Sequence, residues 1–280
     1  MNTETTVHPK LQHYGLVTAN LDPMTEWYGK VLGMTVNHRS KIPAIARLTH
    51  QGPPFSAFAF VSNDEVDHRI VFFEIPKAEI DRDKARHTGL QHVAFECATL
   101  DDLLGTYVRL KNLGIQPLWA ADHGAGTSIY YEDPDRNVVE IYVNNFGSPW
   151  TATEYLRSGH AGVPAQIDLD KLVAGRKTGT SSWELHGRAM AGDFAPAEPF
   201  DPRTQLQAKE LQRLSRTDLL RRMLWLKLKL RPTGILGLPP DSTAPQQPVS
   251  DVLPGGPVPW GSKQYATKFA PARRRSRLPC

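Results

Sequence analysis

The stretch LQHYGLVTANLDPMTEWY, residues 11–28, is written again as LQHVAFECATLDDLLGTY at residues 90–107. At a constant offset seven of the eighteen pairs are identical: Leu11/Leu90, Gln12/Gln91, His13/His92, Ala19/Ala98, Leu21/Leu100, Asp22/Asp101 and Tyr28/Tyr107. Seven is too many for chance, so either a structural unit is duplicated or two matching histidines are needed in one place. LQHYGLVT and LQHVAFEC are short and β-rich, which predicts strands with His13 and His92 in mid-strand. Each copy then meets an acidic helix start, Asp22 or Asp101, followed by apolar residues at helical spacing. In the first copy these are Met24, Trp27, Tyr28, Val31 and Leu32, ending at Gly33. In the second they are Leu103, Leu104, Tyr107, Leu110 and Leu113, with Gly114 closing the helix.

Three more strand patterns follow each helix: MTVNHR, FSAFAFVS and HRIVFFEIP in the first copy, then QPLWAAD, GTSIYYE and NVVEIYVN in the second. The fold class is therefore α+β, two tandem βαβββ modules over residues 10–77 and 88–146. Together they make one domain of residues 10–150 behind an N-terminal arm, residues 1–9. A helix covers one face of each sheet and leaves the other open. Two such units side by side can join their open faces into one cavity, with the duplicated first strands supplying paired histidines.

Residues 151–202 read as a loop-rich extension packing on the domain, with one helix at DLDKLVAGR. Residues 203–231 carry a basic amphipathic helix pattern through Leu206, Leu211, Leu214, Leu219, Met223 and Leu226, for which packing of the leucine face on the body is preferred to a membrane surface. After Arg231 the next 32 residues hold eight prolines and five glycines. Such a segment buries too little apolar surface to offset its chain entropy, so residues 232–280 are expected to be a disordered basic tail.

Charge follows the same division. From Arg203 onward fifteen Lys and Arg face four Asp and Glu, a net of +11, and since the whole chain carries +4, residues 1–202 carry −7. The pI of 9.0 thus describes the tail, and nucleic acid is not an expected partner of the acidic body. The cysteines, Cys97 and Cys280, make no disulfide framework and suit a reducing compartment. The N-terminus has no apolar run of a secretory signal, and LLRRMLWLKLKL is too short and charged to span a bilayer. A cytoplasmic protein without stable membrane insertion is expected. A homo-oligomer is compatible with a single pair of modules standing alone.

The strongest chemical signal is HGAGTSIYYEDPDRNVVEIY, which begins at His123. It holds a histidine, a strand pattern with Tyr130, a tight turn and a return strand in which Glu140 stands between Val139 and Ile141. A carboxylate among such neighbours is costly to desolvate without a cation. His13, His92 and Glu140 offer two imidazoles and a carboxylate from three strands, a set that leaves metal positions open and suits Fe(II) that must take both a substrate and O₂. A single histidine in a half-buried strand is more often hydrogen-bonded packing. Two symmetric ones beside an embedded glutamate favour the metal.

These motifs resemble the vicinal oxygen chelate superfamily, and within it the type I extradiol ring-cleavage dioxygenases. His123, Ile129, Tyr130, Asp133, Pro134 and Glu140 follow that signature in order and spacing, while Arg136 stands where a small turn residue is usual and Ala121 departs from the pattern. The resemblance covers residues 10–150. It implies that His13, His92 and Glu140 are the ligands of Fe(II), with Mn(II) the alternative. It implies that His68, beside Asp67, is the acid–base histidine, and that His123 and Tyr130 hydrogen-bond the oxygens of the substrate and of O₂. The partners implied are a catecholic small molecule and O₂. Each role has a physical reason: a catechol must lose protons to chelate, which suits a histidine base. A Tyr hydroxyl or His N–H stabilises charge developing on oxygen.

The superfamily also contains glyoxalase-like isomerases and lyases and metal-free binding proteins, so fold does not settle activity. An isomerase with four ligands needs a carboxylate on the last strand of the first module. Aligning DHRIVFFEI with DRNVVEIYV sets Phe72 opposite Glu140, with Glu74 on the same face. The isomerase is therefore the second expectation and a metal-free binding protein the third. The other histidines, His8, His38, His50, His87, His160 and His186, read as surface or packing residues.

Overall fold

A computed structural model describes residues 8–47, 52–81, 84, 87–159 and 162–200. The predicted helix at 203–231 and the tail at 232–280 lie outside the described residues. The first module runs β1 (Tyr14–Thr18), α1 (Leu21–Leu32), β2 (Thr35–Lys41), a single turn α2 (Ala44–Arg47), β3 (Ala57–Ser62) and β4 (Ile70–Glu74). The second runs β5 (His92–Cys97), α3 (Leu100–Asn112), β6 (Trp119–Asp122), β7 (Gly126–Glu132) and β8 (Val138–Asn144). The duplicated βαβββ order is thus present. His13 directly precedes β1 and His92 opens β5, so both stand at strand entrances rather than mid-strand.

The sheets have matching orders, β1-β4-β3-β2 and β5-β8-β7-β6, the second extended by β9 (Ala165–Gln166). In each the first strand runs parallel to the last and the rest is antiparallel. Both helices start where the repeat places Leu21 and Leu100. The Asn20 side chain accepts from Asp22 N, and Thr99 and Asp102 form a capping box. Gly33 ends α1 at φ 68°, a left-handed conformation that a residue lacking Cβ adopts without strain.

Strand alternation divides the side chains. In the first module Leu21, Met24, Tyr28, Ala57, Ala59, Val61, Ile70 and Phe72 form the helix-side core, joined by Val139 and partly buried Phe95 of the second. Val31 in turn enters the core around α3. Tyr28 donates to Asp133 Oδ2 (3.1 Å), and Arg109 donates to the Lys30 and Val31 carbonyls (2.5 and 3.2 Å). The modules therefore meet through their helix-covered sides.

The extension is more regular than the single helix read from sequence. It contains α4 (Pro149–Arg157), α5 (Leu169–Lys177), which is the predicted one, and α6 (Ser182–Ala191). Ser148 and Ser181 cap α4 and α6, with Pro149 at the first turn of α4. Ile167, Leu169, Leu172, Leu185, Ala189 and Phe194 bury against the α3 core, so this segment is part of the folded body. No helix among the described residues is long and apolar enough to cross a membrane.

Candidate metal centre

On β8, Val139, Ile141 and Val143 point into the apolar cores, so alternation sends Val138, Glu140 and Tyr142 to the open face. Glu140 pairs with Tyr130 on β7 and Ala94 on β5. It is 6% exposed, which for a carboxylate demands partners. Oε1 accepts from the Ser128 hydroxyl and from Tyr130 OH at 3.1 Å, and Oε2 lies 2.7 Å from His92 Nε2. Ser128 was not singled out from sequence, although its position two residues before Tyr130 puts it on the same face. Gly126 is needed for close approach, since a Cβ there would meet the Tyr142 ring at 1.9 Å.

The tautomer of His92 decides what this pair can hold. Its Nδ1 contacts Gln91 Oε1, which can only accept, so the ring proton sits on Nδ1. The Nε2 lone pair then faces a carboxylate oxygen, an arrangement that needs a second proton or a cation between them. A neutral imidazole nitrogen and a buried carboxylate fit a divalent first-row metal. His13 repeats the device, its Nδ1 meeting Gln12 Oε1. The glutamines were legible as identities in the repeat, but their task was not. Gln91→Leu is expected to weaken Mn(II) affinity about 10–100-fold, measured by calorimetric titration, because an unheld ring loses its orientation.

His13 lies on the open face of the first module, its ring 4.3 Å from that of His68. His68 stacks on Phe60 (4.4 Å, 13°) and its Nδ1 meets Asp67 Oδ2. His38 and Phe58 pack along the same face. The structure thus joins His92, Glu140, Tyr130 and His123 in one cluster and His13 with His68 in another. Among the described residues no group of three or more His, Cys, Asp and Glu is placed to hold a metal ion. Between the modules a cavity of about 490 Å³ opens beside His92, lined by Tyr14, Leu16, Leu118, Val139 and Phe200 among others.

His123 and Tyr130 meet as the signature implies, with Nε2 and OH 2.9 Å apart. Tyr130 gives its one proton to Glu140, so His123 Nε2 donates to Tyr130 and the ring is the Nε2–H tautomer. Trp119 stacks on Tyr130 (4.6 Å, 8°) and Phe200 on Trp119 (5.6 Å, 14°). Burial raises the Tyr130 pKa, keeping the phenol protonated, and burial lowers that of His123 against the opposing charges of Glu140 and Asp122. A histidine whose folded pKa lies below its ordinary 6.5 is protonated more readily in the unfolded chain. Its contribution to stability is complete above about pH 6.5 and fades as pH falls through that value toward the folded pKa. In urea unfolding of the metal-free protein, His123→Asn is therefore expected to flatten the acid-side decline by up to about one proton.

The hairpin carrying His123 is gripped from behind. Asp122, 1% exposed, accepts from Gly124 N (2.8 Å), Thr127 Oγ1 (3.2 Å) and Asn145 Nδ2 (3.0 Å), and its Oδ2 lies 2.8 Å from His186 Nδ1 on α6. His186 is a packing residue, as read, but one that ties the extension to the hairpin. No local pattern pairs positions 122 and 186. His186→Ala is expected to cost about 1–3 kcal/mol in denaturant unfolding, since it strips one partner from a buried carboxylate.

One sequence alignment is corrected by register. Ala94 pairs with Glu140, and its counterpart Gly15 pairs with Val71, so Val71 occupies the position equivalent to Glu140. Phe72 is in the helix-side core, and Glu74 accepts from Leu21 N (3.3 Å) and Ser56 Oγ (2.7 Å) at the start of α1. A slip of one residue exchanges the two faces of a strand. Arg136 takes up the turn's left-handed conformation (φ 64°) in place of the usual small residue.

The model of the Glyoxalase/Bleomycin resistance protein/Dioxygenase superfamily matches residues 10–141. The chain is 37% identical over 189 residues to biphenyl-2,3-diol 1,2-dioxygenase 3 of Rhodococcus globerulus, covering 66% of this chain and 92% of that protein. It is 33% identical over 169 residues to biphenyl-2,3-diol 1,2-dioxygenase 2 of the same organism, covering 60% and 80%. Among solved structures, a glyoxylase/bleomycin resistance protein/dioxygenase domain from Frankia sp. EAN1pec is similar over 49% of this chain and 93% of that one, at 21% identity and a TM-score of 0.41.

Proposed function

The chain belongs to the glyoxalase/bleomycin resistance protein/dioxygenase superfamily, and from that premise we propose that it is an Fe(II)-dependent extradiol dioxygenase opening a catecholic ring with O₂. The observation that carries this reading is the apposition of His92 Nε2 and Glu140 Oε2 on an open sheet face whose counterpart in the other module is the apolar Val71. Glu74, the carboxylate that a four-ligand isomerase would recruit, is instead engaged on the helix side. The relatives are biphenyl-2,3-diol 1,2-dioxygenases, which supports an aromatic diol as the substrate class.

His13, His92 and Glu140 would hold the ion, and Fe(II), or Mn(II) in its place, would bring diol and O₂ together and pass electron density between them. The protein's own side chains do the remaining work. Ser128 and Tyr130 hold Glu140 on one oxygen, which keeps the other directed toward His92. His68, oriented by Asp67 and by its stack on Phe60, is the base that takes a hydroxyl proton. When substrate binds, the His123 N–H and the Tyr130 O–H, which otherwise donate to Tyr130 and Glu140, would turn to the oxygens where charge gathers. Trp119 stacks over Tyr130 and shields that hydrogen bond from water.

The test is O₂ uptake and formation of the yellow ring-fission product by anaerobically prepared, Fe(II)-loaded protein, with biphenyl-2,3-diol and monocyclic catechols as substrates. Turnover of a hemithioacetal with Ni(II) or Zn(II), and none of a catechol with Fe(II), would overturn the assignment in favour of an isomerase.

A further inference from the structure

We propose that Asp67, acting in part through Gln12, is a positioning residue for both the proposed metal ligand His13 and the proposed base His68, one carboxylate deciding which ring nitrogen each histidine offers. The inference rests on the metal reading above and deepens it, since it names the group that prepares the two histidines for their separate tasks.

The contacts form one chain in the first module. His13 Nδ1 meets Gln12 Oε1, Gln12 Nε2 donates to Asp67 Oδ1 (3.0 Å), and Asp67 Oδ2 meets His68 Nδ1. The direction of each link follows from its chemistry. An ionised carboxylate only accepts, so His68 presents Nδ1–H to it and Gln12 presents its amide nitrogen. With that nitrogen engaged, the amide oxygen is turned to His13, which then carries its own proton on Nδ1. Both imidazoles are left with a lone pair on Nε2, one for a cation and the other for a hydroxyl proton. Without Asp67 the amide is free to reverse. An amide N–H facing His13 would take the lone pair of Nδ1 and leave the ring proton on Nε2, where it blocks a metal.

The backbone around the chain is held as well. Arg69 donates to the Gln12 carbonyl (3.2 Å) while paired with Asp64 through two nitrogens (2.9 and 2.6 Å). Asn37 Nδ2 donates to the Asp67 carbonyl (2.8 Å), and Gln12 Nε2 also reaches the His68 carbonyl (3.4 Å). The His68 side chain is 13% exposed, stacked on Phe60 and set against the ring of His13.

Among the described residues the second module has no such link. Tyr14 pairs with Ile70 and Val93 with Val139, which makes Arg136 and Asn137 the counterparts of Asp67 and His68. The repeat therefore writes a Gln–His step into both modules, and only the first joins it to a base.

The experiment uses the metal-free full chain, isotope-labelled at histidine nitrogen and held at about pH 8, where imidazoles are neutral. Long-range proton–nitrogen correlation spectra show which ring nitrogen carries the proton. Wild type is expected to show Nδ1–H at both His13 and His68. Asp67→Ala is expected to move both rings toward Nε2–H. Gln12→Leu should move His13 alone, because Asp67 still holds His68. In calorimetric titration, Asp67→Ala should bind Mn(II) about tenfold more weakly, although its hydrogen bonds go to Gln12 and His68 and to no proposed ligand. An Asp67→Ala protein that shifts His68 and leaves His13 at Nδ1–H overturns the proposal. Wild type with the His13 proton on Nε2 overturns it too, a result that needs no variant to fold. Shifted tautomers with unaltered Mn(II) affinity leave the coupling standing and remove His13 from the ligand set. Coupled tautomers in a protein that does not cleave catechols with Fe(II) also support this proposal and remove only the ring-cleavage assignment.

Discussion

Glu140→Gln is expected to abolish both metal retention and turnover while leaving the fold in place. The amide keeps the size of the side chain and an oxygen for Ser128 and Tyr130 to donate to, so the network around Oε1 survives. What it removes is the negative charge opposite His92 Nε2. Changes to residues that merely orient a metal ligand cost about 10–100-fold in affinity, so loss of the ligand charge itself should exceed about 100-fold. Turnover should fall by about 1,000-fold or more, the several kcal/mol that the ion supplies. Stability of the metal-free protein should stay within about 1 kcal/mol of wild type, because a buried charge has been exchanged for a neutral acceptor. Iron content after desalting, initial rates and urea unfolding read the three quantities. A variant with normal iron content and turnover would remove Glu140 from the site and the proposed chemistry with it.

His68→Gln is expected to separate binding from catalysis. The ring sits on Phe60 with Nδ1 held by Asp67, a geometry that leaves Nε2 to exchange a proton with a substrate hydroxyl. Removal of a general base lowers kcat/KM by about 10²–10⁴-fold. Iron content should be unchanged, because His68 is not among the proposed ligands, and that contrast with Glu140→Gln is the diagnostic feature. Asp67→Asn should cost about tenfold or less, since the Asp67 side chain is 72% exposed and its charge is screened. Equal rates for wild type and His68→Gln across pH would assign the base elsewhere.

The local chemistry of the site was legible because strands and helices write their periods into the chain. The repeat at residues 11–28 and 90–107 located both histidines, and the run from His123 to Glu140 located the hairpin that joins Tyr130, His123 and the carboxylate. Gln12 and Gln91 were visible as identities, yet only the contacts of Nδ1 turned them into the groups that leave Nε2 open to a ligand. Ser128 and His186 carry no motif, and their partners lie 12 and 64 residues away.

Sequence alone determined the two βαβββ modules, the residue types offered to a cation and the hairpin that supports them, because each depends on neighbours a few positions apart. Tertiary structure decided which strand face each residue occupies, putting Val71 rather than Phe72 opposite the position of Glu140. It also decided that the cores of the two modules meet, with Val139 and Phe95 of the second packing among the residues around α1, and that the ring of His13 lies against that of His68. Those outcomes depend on pairing register and on the total apolar area each face can bury, quantities set by the whole chain that no short window contains.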